Sequence, residues 1–420
     1  MIKAACFRPV YLGADGMLKT AGDLIAAGSN GEAIWEMSLD LLSPFPAGAD
    51  ILSLPGRAPI AIDPASGEAV VIDDQDRTAT AVAAALPMGF SRTLLPATED
   101  SGLGPILPLF GYTAMADCQG QLYVAAVRTD APGHWAADNY GQGTISKKVK
   151  EWCSLFPANR VLGQLKRCAT EYQCRTAQNL FLGFGEAGLP SAQSCNAACL
   201  GCISLQPAEC CPSPQDRIGF TPTADELAEL AVIHLENADG AIVSFGQGCE
   251  GEPLTNASLL AQSIAKIRSR TCLGTVNINS NGGDTNGLRQ LIDAGLNSVR
   301  ISLFSAIDGD YQAYHQPKSY SLNEVRASLR LAVNSGCNTS LNLLAYPGFT
   351  DDPAQAGAMI ELCQETGLHV LQIRNLNIDP RIIKPFLRNP DSPGICAFIQ
   401  RMQSEIPSLK ISSYTRPHSA

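Results

Sequence analysis

Between about Gly185 and Pro380 the chain alternates two textures. Short apolar or β-branched runs read as strands: "AIVSF" (241–245), "TVNIN" (275–279), "SVRISLF" (298–304), "TSLNLLAY" (339–346) and "HVLQIRNL" (369–376). The stretches between them read as helices with recognisable starts. Thr223 followed by Glu226 and Ser321 followed by Glu324 are capping boxes. Asp352-Pro353 places an N-cap before a proline at the first helical position.

Strands alternating with helices predict an α/β fold of parallel βαβ units with right-handed crossovers. Five or six consecutive units fit a full or partial TIM-type βα barrel, with function at the C-terminal strand ends. Four regions follow: a β-rich N-terminal domain (1–136), a helical bridge (137–184), the barrel (185–380) and a C-terminal helical tail (381–420). In the first, "EAVVID", "ILPLFGYTAMA" and "QLYVAAVRT" read as strands between turns. In the bridge, Val161, Leu162, Leu165, Ala169 and Tyr172 recur at helical spacing from about Ser146 to Leu182.

The chain has 420 residues, 45% of them apolar, and a net charge of −10. The composition is that of a globular protein, and its acidity argues against broad nucleic-acid binding. The longest apolar stretches are too short to span a bilayer, and the N-terminus has no signal-peptide pattern, so the expected location is the cytoplasm.

Fifteen cysteines are many for a reducing compartment. Cys6, Cys118, Cys272, Cys337, Cys363 and Cys396 are scattered and read as small buried hydrophobes. Cys195, Cys199 and Cys202 instead form a C-x3-C-x2-C triplet in a loop near the first barrel strand. Such thiolates suit an iron–sulfur cluster or zinc. A structural zinc site would be closed by a fourth ligand, here Cys210 or Cys211. Three ligands on a four-iron cluster leave one iron open to an exchangeable molecule.

The triplet opening a βα barrel resembles the radical S-adenosylmethionine (SAM) superfamily. The resemblance implies a 4Fe–4S cluster held by Cys195, Cys199 and Cys202, with SAM chelating the remaining iron. It also implies reductive cleavage of SAM to a 5′-deoxyadenosyl radical that abstracts hydrogen from a substrate. Gly251-Glu252-Pro253 is similar to the family's Gly-Gly-Glu-Pro motif after the second strand, with Glu250 in place of the first glycine. In the family this segment binds the methionine amino group. Ser280 and Asn281 end the third strand, and Ser302 stands where several branches contact the ribose. Pro347-Gly348 forms a turn near the expected adenine. Asn375 and Asn377 alternate onto one strand face where parts of the family contact SAM, with Arg374 on the other face as an alternative anchor for the SAM carboxylate.

A flavodoxin- or ferredoxin-type electron donor is the implied partner, and a peptide or cofactor precursor a candidate substrate. Some relatives carry an auxiliary iron–sulfur cluster, for which Cys153, Cys168, Cys174, Cys210, Cys211 and Cys249 are candidates. The N-terminal domain is expected to cover the barrel mouth or recruit the substrate. Alternative functions are a radical methyltransferase acting on RNA or protein, and a non-catalytic iron–sulfur or zinc protein.

Overall fold

The structure is a computed structural model that describes residues 7–74, 77–109, 111–131, 133–206 and 213–417. Seven parallel strands, adjacent in chain order, make one curled sheet, a partial TIM-type barrel. They are β1 (Phe184–Gly188), β2 (Asp239–Phe245), β3 (Thr275–Ser280), β4 (Ser298–Leu303), β5 (Asn338–Ala345), β6 (Val370–Asn375) and β7 (Lys410–Ser412). All five strands expected from the sequence are present. The seventh lies in the region expected to be a purely helical tail: "KIS" is too short to leave an alternation signal, yet it pairs with β6. A helix, Ile395–Glu405, does occupy that region before it.

Both expected capping boxes form, and Asp352 caps its helix through the amides of Ala354 and Gln355. The bridge is three helices, α1 (Gln142–Leu155), α2 (Arg160–Thr170) and α3 (Arg175–Leu182), rather than one run. Val161, Leu162, Leu165 and Ala169 are buried as the pattern requires and join the same core as Leu227, Val243 and Leu260 of the barrel. Tyr172 lies beyond the end of α2, just before Gln173 turns into the left-handed region.

The barrel interior is polar rather than aliphatic. Glu186 accepts from Ser244 Oγ at 2.6 Å and pairs with Arg300 at 2.9 Å. Asn277 bridges Ser244, Asn279 and Ser298, and Arg300 Nε reaches Asn279 at 2.5 Å. Every charge here is paired or hydrogen-bonded, as burial demands. The apolar residues of β4, Ile301 and Leu303, point outward against the helices.

The N-terminal domain is antiparallel, with a seven-stranded and a six-stranded sheet. "EAVVID" contributes Ala69–Val71, and "QLYVAAVRT" contributes Gln121–Val124 and Ala126–Arg128. "ILPLFGYTAMA" is strand only from Met115 onward. Its earlier part is a docking loop: Leu109 joins Phe304, Phe349 and Phe386 in an apolar cluster on the barrel, and Leu107 N donates to Asp379 at 2.6 Å. Buried Arg57 pairs with the fully buried Asp379 at 3.1 Å. Cys118 is buried as read and is disulfide-bonded, whereas Cys272 is exposed, against the buried reading.

Candidate active site

A cavity of about 320 Å³ opens at the C-terminal ends of the strands. Its wall includes Cys195, Cys199 and Cys202 together with Gly251, Glu252, Ser280 and Ser302. Residues that sequence spacing alone could only order along the chain thus meet around one space.

The cysteine loop is held from two sides. On one side, Gly251 N donates to Ala192 O at 2.7 Å and Glu252 N to Ser194 O at 2.9 Å. A Cβ on Gly251 would lie 1.9 Å from Ser194 O. Glycine is required there because two backbones touch. On the other side stands the helix Asp308–His315, here α4. Its last carbonyls, which have no partners within the helix, accept from the loop: Ala198 N to His315 O at 3.2 Å and Leu200 N to Tyr314 O at 3.1 Å.

Two buried glutamates fix the loop after β2. Glu250 accepts from the amides of Ser191, Ala192, Gly246 and Gln247 and from Ser191 Oγ, at 2.6–3.0 Å. Glu252 accepts from Ser280 Oγ at 2.6 Å, Asn281 N at 2.8 Å and Leu254 N at 3.1 Å. Burial pushes both carboxyls up to about 7, against donors that all favour the charged form. Pro253 starts a 3₁₀ turn behind Glu252 and does not line the cavity.

Each thiol has its own surroundings. Burial, then the neighbouring thiols, raise Cys199 well above the ordinary thiol range; burial and Glu252 raise Cys195. Cys202 Sγ lies 3.5 Å from Ser204 Oγ and 3.9 Å from Arg217 Nη2. Cys199 Sγ lies 3.3 Å from His315 Nδ1. Burial lowers His315 to about 3, so its ring is neutral.

Arg300 and Arg374 also line the cavity. Arg374 donates to Ser413 O at 2.5 Å and contacts Met88 Sδ at 3.2 Å, with no carboxylate partner among the described residues. Burial and the nearby Arg300 lower it to about 10. Asn342, also on the wall, donates to Ser302 Oγ at 3.2 Å, while its Oδ1 is buried without a partner.

The two asparagines expected near SAM lie elsewhere. Asn375 accepts from Arg92 N at 2.8 Å and donates to Phe90 O at 3.1 Å, which docks the N-terminal domain. Asn377 Oδ1 sits against Gly111. Alternation along β6 gives the cavity to Arg374 and leaves Asn375 outside. Pro347-Gly348 is likewise covered: a Cβ on Gly348 would meet Asn30 O at 2.1 Å. Among the described residues none before Cys195 lines the cavity, although Met88 of the N-terminal domain contacts Arg374 on its wall.

The donor set suits a multi-iron cluster. Among the described residues no three His, Cys, Asp or Glu side chains converge tightly on a single ion, the triplet included. Three soft thiols spread along one wall match a cluster that places its ligands on different irons. Cys210 and Cys211 lie outside the described residues. His315, Tyr314, Arg217, Glu250 and Arg300 were not singled out by sequence as site residues; the signal for the first two was a helix beginning at the C-terminal end of β4.

Residues 189–357 match the family model of the Radical SAM superfamily. No curated protein sequence matches. Among solved structures, HydG, a maturase of the FeFe-hydrogenase, is 14% identical over 66% of this chain and 67% of that one, with a TM-score of 0.39. Streptococcus suis SuiB bound to precursor peptide SuiA is 12% identical over 63% and 62%, TM-score 0.39. A radical SAM methyltransferase from Sphaerobacter thermophilus is 15% identical over 54% and 65%, TM-score 0.39. The chain thus spans about two thirds of these proteins or somewhat less. No helix among the described residues is long and apolar enough to cross a membrane. Residues 189–357 of this chain are a domain of the Radical SAM superfamily.

Proposed function

We propose that Cys195, Cys199 and Cys202 hold a 4Fe–4S cluster and that the cavity beside them binds SAM for reductive cleavage. The observation that carries this reading is the presence of all three thiols on one cavity wall with the Gly-Glu-Pro loop and the ends of β3 and β4. When bound and reduced by a flavodoxin- or ferredoxin-type donor, the cluster supplies the electron that splits SAM into methionine and a 5′-deoxyadenosyl radical, which takes hydrogen from the substrate.

The chain's own residues bind and orient. The Gly251–Pro253 loop carries backbone and carboxylate acceptors to the cysteine side, where an ammonium group would be received. Ser280 and Glu252 hold each other in place. Ser302 and the unpaired Asn342 Oδ1 suit ribose hydroxyls. Arg374, lacking a carboxylate partner, is assigned the SAM carboxylate in place of Asn375 and Asn377. A peptide or cofactor precursor remains the favoured substrate class, and an auxiliary cluster would draw on Cys210 or Cys211.

The test is anaerobic reconstitution followed by SAM and dithionite. Iron, sulfide and 5′-deoxyadenosine are expected, and Cys199→Ala should remove all three. A methylated RNA or protein product would favour the methyltransferase alternative. Zinc without sulfide, or deoxyadenosine formation that survives Cys199→Ala, would overturn the reading.

A further inference from the structure

We propose that His315 is a positioning residue that sets the reduction potential of the cluster, through one N–H···S hydrogen bond to Cys199. The inference rests on the cluster reading above and concerns a residue outside the cysteine motif.

The ring's tautomer is fixed by its neighbours. The Phe304 backbone N–H donates to His315 Nε2 at 3.1 Å. Nε2 therefore presents its lone pair, and the neutral ring carries its proton on Nδ1. Nδ1 lies 3.3 Å from Cys199 Sγ. The proton is thus aimed at the sulfur.

The ring has no room to turn away. His315 is 2% exposed. Tyr311 packs on it at 4.6 Å between ring centroids and Tyr314 at 5.0 Å edge-on. The same helix end holds the loop backbone through the Ala198 and Leu200 amides, so donor and sulfur move together. A thiol on Cys199 reaches the His315 carbonyl at 3.6 Å. Binding iron removes the thiol proton and that contact, but leaves the Nδ1–H donor in place.

The three sulfurs are treated unequally. Cys202 has only a long contact to Arg217 Nη2, at 3.9 Å, and one to Ser204 Oγ at 3.5 Å. Cys195 receives no side-chain hydrogen bond among the described residues. The buried imidazole is the nearest nitrogen donor. Adding one electron makes the cluster and its thiolates more negative. A fixed N–H donor therefore binds the reduced form more strongly and raises the potential, making the electron easier to accept. The electron comes from the external donor. No bond forms or breaks at His315, and its proton stays on Nδ1.

The experiment is a redox titration of the reconstituted full chain, followed by electron paramagnetic resonance, after iron and sulfide have been counted. His315→Phe should keep its iron and show a more negative midpoint than the native chain. His315→Asn, which returns an N–H near the Nδ1 position, should recover part of that shift. An unchanged midpoint in iron-replete His315→Phe overturns the proposal. If that variant loses its cluster, the native chain with ¹⁵N-histidine answers instead. Pulsed resonance of the reduced cluster should show one weakly coupled histidine nitrogen, and no such coupling overturns the proposal. A native chain that takes up no iron and sulfide fails earlier, at the cluster reading itself.

Discussion

The Glu250 carboxylate takes both the backbone N–H and the hydroxyl of Ser191, at 2.7 and 2.8 Å, and so ties the loop after β2 to the segment leading into the cysteine triplet. All five of its contacts donate to it, and the four that are backbone N–H groups would not tolerate an amide NH2. Glu250→Gln would press that NH2 against N–H groups and leave buried donors unsatisfied. We expect a loss of about 2–4 kcal/mol, measured as a lower urea midpoint. A loss of a few tenths would show that the clasp is not needed.

Gly251→Ala should be worse for cluster loading than for folding. The added methyl collides with Ser194 O, directly before Cys195. The barrel core lies elsewhere, so circular dichroism should remain native-like while iron and sulfide per chain fall. Full loading of the variant would mean the loop has another way past Ser194.

Asp379 decides how the N-terminal domain sits. Its partner Arg57 has a side chain only 3% exposed. Asp379→Ala leaves that guanidinium with Asp100 alone and strips the acceptors of Leu107 N and Arg381 N. Breaking one side of a buried pair costs about 3–5 kcal/mol. Chemical unfolding should register that loss, and limited proteolysis should begin to cut near residues 100–109. Native resistance to protease would argue that apolar contacts alone dock the domain.

Asp100 predicts an acid response. Hydrogen bonding to Arg381 and the charge of Arg57 hold its carboxyl at about 2, below the ordinary 3.8. A depressed carboxyl contributes fully above about pH 4 and loses its contribution as pH falls toward 2. Allowing for partial exposure, the contribution is about 1–2 kcal/mol. The stability gap between the native chain and Asp100→Asn should be constant above about pH 4 and close toward pH 2. A gap independent of pH would place the effect in packing instead.

Legibility in the sequence followed locality. The five strand runs, the caps and the cysteine triplet are written within a few residues each, and they appear where read. The placement of Arg374 depended on which face of β6 turns inward, and a run that is half-buried on both sides carries no such label. Asn375 was drawn outward by Arg92 and Phe90, residues nearly three hundred positions earlier whose approach no local pattern announces. Glu250 looked like a departure from a glycine motif, whereas it is the clasp that holds the motif. His315 had no metal-spaced partner along the chain, and only folding brings it to Cys199.

The strand Lys410–Ser412 is the last part of the sheet to leave the ribosome, and just after it Thr415 anchors to Arg300 and Gln372 inside the barrel. Until that segment has been made, the far edge of the sheet stays open and the interior charges lack its support. The cysteine loop therefore emerges long before the barrel interior behind it is complete.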